Sequence, residues 1–178
     1  MRYYPIFLNL GGRRAVVVGG GKVAERKVRK LAGAGALVHV ISPELTPGLK
    51  KLLAQRKIKV TPRRYRTADI RGKARDRSAI LVFAATSDPV AQRTIRRDAA
   101  AIGALINVAD DPARCDFIVP AWVTRGDLHV AISTSGTDPA LTKCLRQKLS
   151  ADLRKIKWQR AKVRRQKSGV RRQKRKSV

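Results

Sequence analysis

Ala15-Val16-Val17-Val18-Gly19-Gly20-Gly21-Lys22-Val23-Ala24-Glu25-Arg26-Lys27 lies near the N-terminus of the chain. An unbroken β-branched run feeds three glycines and then an amphipathic segment, which is how a buried parallel strand turns into a helix beneath a dinucleotide pyrophosphate. The spacing fits G-x-G-x-x-A. The first glycine permits the tight turn, the second lets backbone approach phosphate, and Ala24 allows helix to pack closely on strand. Taken alone, the same glycines also describe a tight turn that binds nothing; the strand before and the helix after favour the cofactor.

Working outward, Val23, Ala24, Val28, Leu31 and Ala32 recur at helical spacing until Gly33 and Gly35, and Leu37 to Ile41 reads as a second strand. Upstream, Ile6-Phe7-Leu8 and Leu10 before Gly11-Gly12 predict an edge or hairpin segment. Downstream, Leu49, Leu52 and Leu53 mark a short helix, Ile58 and Val60 a weaker strand, and residues 61–78 a polar loop. Ile80 to Ala85 is a fully apolar strand. Thr86-Ser87-Asp88-Pro89 then offers a cap and a first-turn proline for a helix carrying Ala91, Ile95, Ala99 and Ile102. Leu105-Ile106-Asn107-Val108 is a fifth strand, ending at Ala109-Asp110-Asp111-Pro112. Alternating buried strands and amphipathic helices predict a Rossmann-like, doubly wound parallel sheet.

Beyond this point the pattern changes. Phe117 to Val123 and Leu128 to Ile132 are β runs split by Thr124-Arg125-Gly126-Asp127, a hairpin signal that predicts a separate small sheet. Thr137-Asp138-Pro139 starts a helix with Leu141, Leu145, Leu149, Leu153 and Ile156 on one stripe. The expected organisation is a dinucleotide-binding domain over 1–112, a small β region over 113–137, a C-terminal helix over 138–156 and a basic tail over 157–178.

The 178 residues carry 41 Lys or Arg against 12 Asp or Glu, a net charge of +29. Thirteen of the bases and none of the acids fall in residues 154–178, so the excess is concentrated in the tail but not confined to it. Such a field attracts polyanions: nucleic acid, anionic membrane, or a small molecule bearing several carboxylates. No apolar run approaches the roughly 18 residues needed to cross a bilayer, and the N-terminus does not read as a signal peptide, so a cytoplasmic protein with no membrane partner is expected. Cys115 and Cys144 have neither disulfide-framework nor zinc spacing.

An acidic residue for the adenosine ribose is expected about 20 positions beyond the glycines. The chain offers Ser42-Pro43-Glu44 there; Glu44 with no adjacent arginine favours NAD over NADP. Ala84-Ala85-Thr86 ends the strand beyond the switch point, where small side chains admit the second half of the cofactor. Asp110 and Asp111 lie at the carboxyl edge of the sheet, where a carboxylate can accept a proton or hold a metal ion, or simply cap a turn. The residues alone leave these readings open. His39 and His129 read as packed histidines.

Taken together, Pro5-Ile6-Phe7-Leu8, Val17 through Lys27, Ala84-Ala85-Thr86, Asn107 through Pro112, Cys115 through Ala121 and Val130 through Gly136 resemble the precorrin-2 dehydrogenase/sirohydrochlorin ferrochelatase family, the NAD-binding module of sirohaem synthesis. The resemblance covers about residues 3–150. It implies an NAD-binding domain, a β region used for homodimerisation and for the tetrapyrrole cleft, and oxidation of precorrin-2 to sirohydrochlorin with formation of NADH. It also implies, for some members, insertion of Fe2+ or Co2+. Asp110 matches the family's key aspartate, implicated in both activities and, for chelation, in meeting the metal. Gly19, Gly20, Gly21, Lys22, Val23, Ser42, Pro43, Glu44, Ala84, Ala85 and Thr86 fall on the cofactor side. Asn107, Ser133, Thr134 and Ser135 fall on the substrate side, with Thr134 and Ser135 standing where the family has Ser-Gly. The further expectation is that no methyltransferase domain is appended and that another protein makes precorrin-2. Precorrin-2 carries eight carboxylates, which gives the basic charge a use. The competing expectation is a non-catalytic dinucleotide sensor whose basic tail binds nucleic acid.

Overall fold

The computed structural model describes residues 3–72 and 78–155. The chain divides after Val119 into two compact units. In the first, five parallel strands stand in the order β3-β2-β1-β4-β5. They are β1 Arg14–Val18, β2 Leu37–Ile41, β3 Lys59–Thr61, β4 Leu81–Ala84 and β5 Leu105–Val108. Helices α1 (Lys22–Gly33), α2 (Pro47–Ala54) and α3 (Pro89–Ala101) connect them. The strand order reverses between β1 and β4, the switch point at which this architecture binds ligands.

The all-apolar strands are explained by burial on both faces. Val17, Val38, Val40 and Phe83 pack under Ala24, Val28 and Leu31 of α1 and Leu49 and Leu52 of α2. Val16, Val18, Ile41, Val82 and Ile106 face the other way, against Ile95 and Ala99 of α3. The period-2 alternation of a strand thus builds two cores from one valine run.

Within residues 61–78, expected to be loop, Thr67–Ile70 forms a 3-10 turn. Asp69 accepts from the Arg66 amide at 2.7 Å and takes the Arg63 guanidinium at 2.7 and 2.8 Å. Burial opposes the charge of Asp69, yet these donors hold its carboxyl below its ordinary value. Arg14 fixes the same turn through the carbonyls of Asp69, Ile70 and Arg71 and also donates to His39 Nδ1 at 3.2 Å. His39 Nε2 therefore carries the proton given to Thr61 Oγ1, 2.8 Å away. Burial and the Arg14 charge lower the His39 pKa, so the structural reading of this residue stands.

Three expectations change. Residues 3–10 form no strand; Tyr4, Ile6 and Phe7 are exposed, and the outer strand β3 pairs only with β2. Phe117 to Pro120 are also not strand, because this segment is used to cover the first unit. Phe117 packs edge-on against Phe83 with ring centres 5.4 Å apart, and Asp116 exchanges hydrogen bonds with the backbone of Ile106 at 2.9 Å. The same contacts carry the first compact unit past residue 112 to Val119. Finally, His129 is exposed rather than packed.

The second unit pairs β6 (Ala121–Arg125) antiparallel with β7 (Leu128–Ile132), and α4 (Pro139–Lys155) packs on both. Of the predicted leucine stripe only Leu153 is buried, while Leu141 and Leu145 are exposed. Ile156 and the basic tail lie outside the described residues.

Candidate dinucleotide site

Three loops meet at the carboxyl ends of β1, β2 and β4. The Gly19 amide donates to Ile41 O at 2.9 Å, and the Thr46 amide donates to Gly20 O at 3.0 Å. The Ala85 amide donates to Val18 O at 2.8 Å. Gly19 has φ +122°, and a Cβ there would lie 2.1 Å from the Ala85 carbonyl oxygen. A Cβ on Gly20 would lie 1.8 Å from the Glu44 carbonyl oxygen. Neither position has room for a side chain, so the glycines knit the three loops into one cradle.

Gly21 serves differently. It caps α1 in an extended conformation with no side chain to bond the first-turn amides, and a Cβ there would meet nothing within 4 Å. The amides of Lys22, Val23 and Ala24 precede the first intrahelical bond, from the Glu25 amide to Gly21 O at 2.9 Å. Such an uncapped helix start, with its positive dipole end, suits a pyrophosphate. The glycine whose crowding is tightest is therefore Gly20, the variable position of the motif, while Gly21 leaves the helix end open.

The other expected residues fall around this cradle. Ser42 is buried, and its hydroxyl donates to Glu44 O at 2.7 Å, so it shapes the β2 loop. Pro43 and Glu44 are exposed at the rim, and Lys22 and Val23 are exposed on the first turn of α1. Ala84 is buried at the end of β4, followed by half-buried Ala85 and Thr86. The Thr86 carbonyl is held by Gln92 Nε2 at 2.7 Å.

At the end of β5, Asp110 has φ +61°, a left-handed conformation that costs most residues energy and that Asp tolerates comparatively well. Its carboxylate is exposed. Asp111 is occupied by Arg114 at 3.1 Å, which separates it from Asp110, the aspartate that the family resemblance singles out. Asn107 is buried beneath them. Its Oδ1 accepts from Lys27 Nζ at 2.7 Å, and its Nδ2 donates to Phe117 O at 3.0 Å. Lys27 lies over the Phe83 ring, 4.9 Å from its centre. Burial and the charge of Arg26 lower the Lys27 pKa, while Cys115 and Asp110 act in the opposite sense. Lys27 was not singled out from sequence as a site residue. The signal was there: positions 24, 27, 28 and 31 form an i, i+3, i+4, i+7 stripe in which only Lys27 is charged.

Ser133, Thr134 and Ser135 belong to the second unit. The Thr134 hydroxyl is engaged at the start of α4, with the Asp138 backbone and the Thr142 hydroxyl at 3.0 to 3.1 Å. Ser133 and Ser135 are exposed, and Ser135 has φ +57°. Among the described residues no group of three or more His, Cys, Asp or Glu side chains could hold a metal ion. No helix among them is long and apolar enough to cross a membrane.

Switch point, glycine cradle and open helix end together define a dinucleotide-binding α/β chain. Residues 6–121 match a family described as putative NAD(P)-binding, and the chain belongs to that family. It is 44% identical over 149 residues to a siroheme synthase of Methylobacillus flagellatus, covering 84% of this chain and 31% of the relative. It is 40% identical over 151 residues to a siroheme synthase of Neisseria meningitidis serogroup C, covering 85% and 30%. The chain thus spans about a third of the length of these relatives. Among solved structures, SirC, precorrin-2 dehydrogenase, superposes with a TM-score of 0.70 at 28% identity, covering 84% of this chain and 71% of that one. The family resemblance read from the sequence agrees with all of these.

Proposed function

We propose that the chain oxidises precorrin-2 to sirohydrochlorin with NAD as the hydride acceptor. The observation that carries this reading is the glycine cradle at the β1/β4 switch point, in a chain similar to SirC and to siroheme synthases. When bound, the nicotinamide supplies the redox chemistry. The chain's own residues bind, orient and move a proton. The first-turn amides of α1 receive the pyrophosphate. Exposed Glu44 accepts from a ribose 2′-hydroxyl and repels a 2′-phosphate, which supports NAD over NADP. Asp110, exposed at the end of β5 on a left-handed backbone, takes the proton that leaves the substrate as its hydride departs.

Lys27 and Asn107 are positioning residues that tie α1 to the segment running on from Asp110. The hydroxyls of Ser133 and Ser135 suit substrate carboxylates, and the net charge of +29 draws in a polycarboxylate. A cytoplasmic homodimer belongs to this reading, supported by two free thiols and by the exposed Trp122, Leu141 and Leu145 of the second unit.

The test is anaerobic incubation of the protein with NAD and enzymatically generated precorrin-2. Sirohydrochlorin and NADH are expected to appear together. Asp110→Asn is expected to lower turnover by about 100-fold or more, with the NADH Kd unchanged. Absence of NADH formation by the unaltered protein would overturn the reading.

A further inference from the structure

Cys115 has no part in the proposed chemistry, yet its thiol sits at the turn that carries Asp110. Strand β5 is an outer strand of the sheet. The amides of Leu105 and Ala109 donate to Ile80 O and Ala84 O on the β4 side, so by strand alternation those of Ile106 and Val108 face the open edge. Both are satisfied by the segment that returns after Pro112. The Ile106 amide donates to Asp116 Oδ2 at 2.9 Å, and the Val108 amide donates to Cys115 Sγ at 3.2 Å.

The thiol also reaches across the turn. Its one proton has two carbonyls within reach, Val108 O and Asp111 O, each at 3.3 Å, and Asn107 Nδ2 is a second donor to the sulfur at 3.4 Å. The contacts to Val108 and Asp111 bracket Asp110. A thiol is a weak donor and a weak acceptor, so none of these bonds is strong by itself. Their worth lies in where they fall. Asp110 has φ +61°, a conformation that a residue other than glycine keeps where its surroundings over-determine it. Other contacts hold the far arm of the turn: the Arg114 amide donates to Asp111 O at 3.2 Å, the Arg114 guanidinium pairs with the Asp111 carboxylate, and Arg96 of α3 donates to Arg114 O. Cys115 joins that arm to the end of β5.

We infer that Cys115 is a positioning residue for the dehydrogenation: its thiol closes the Val108–Asp111 turn and holds Asp110 in the left-handed conformation from which the carboxylate meets the substrate. This role rests on the reading of Asp110 as the proton acceptor. Cys115 acts through Asp110 and takes no proton, hydride or metal itself.

The test compares the steady-state kinetics of Cys115→Ala and Cys115→Ser in the full chain, with NAD and enzymatically generated precorrin-2. Cys115→Ala is expected to lower kcat by about tenfold or more, with the KM for NAD within about twofold of that of the unaltered protein. Cys115→Ser keeps a donor and an acceptor at the position and is expected to recover most of the loss. In an Asp110→Asn background, Cys115→Ala is expected to add less than about twofold, because the proton acceptor it positions is already gone. Should Cys115→Ala fail to fold, Cys115→Val, which fills the space without a polar atom, replaces it in each comparison. An unchanged kcat would overturn the inference. So would an equal loss in Cys115→Ser, or a loss that multiplies in full with that of Asp110→Asn. Each of these leaves the dehydrogenase reading standing so long as the unaltered protein forms NADH; no NADH from the unaltered protein would overturn both.

Discussion

Helices α1 and α3 both start at the carboxyl edge of the same sheet, after the two strands that flank the switch point, yet their first turns are finished in opposite ways. At α3 the Asp88 carboxylate accepts from the amides of Val90 and Ala91 at 2.9 and 3.2 Å, and Pro89 has no amide to leave open. At α1 the cap is Gly21, and no side chain reaches the amides. One helix end is closed by the protein; the other is left for a ligand. Helix α2 joins the closed class, since Thr46 caps it through the Leu49 amide. A first unit that caps two of its three α-helix starts and leaves the third bare beside packed glycines has reserved that end for an anion.

The contrast can be broken most severely at Gly20. Gly20→Ala sets a Cβ against the Glu44 carbonyl, and the loop must move. A stability loss of about 1–3 kcal/mol is expected by chemical denaturation, with a dinucleotide affinity lower by about 100-fold in a fluorescence titration. Opening the closed end should do the reverse. Asp88→Ala is expected to cost about 1 kcal/mol of stability while changing NADH affinity by less than about twofold. The smallest effect is far from both ends, at His39. Its folded pKa is depressed, so the unfolded chain binds more protons once the pH falls below about 6.5. Stability is therefore expected to fall as the pH is lowered through that value, and thermal melts of His39→Gln should lose this part of the slope. The corresponding loss from Asp69 lies lower, as the pH falls below its ordinary value of 3.8.

Much of the first unit was legible because its signals are local. Valine runs, helical apolar spacing, the Asp88-Pro89 cap and the glycines each follow from a few neighbouring residues. The hidden parts depend on what approaches from elsewhere in the chain. Nothing near Gly20 announces that Glu44 will lie against it, and nothing in Asp110-Asp111 says which carboxylate Arg114 will occupy. Ser42, a ribose candidate by position, is turned inward by the Glu44 carbonyl. Lys27 could have been found, since a lone charge on an apolar stripe has to reach a partner, and that partner is Asn107. The exposed leucines of α4 and the irregular Phe117 to Pro120 segment show the limit of pattern. Apolar spacing identifies a face but not what covers it, and an apolar run can serve as a covering flap without pairing as a strand.

Whether the open start of α1 receives the dinucleotide is read from the NADH Kd of Gly21→Asp. The Gly21 backbone, at φ −81° and ψ −173°, accepts any residue, and its Cβ direction is clear. An aspartate there would close α1 as Asp88 closes α3. Stability is expected to be unchanged or higher by a few tenths of a kcal/mol, with NADH binding weakened by about tenfold or more. An unchanged Kd in a folded Gly21→Asp protein would contradict it.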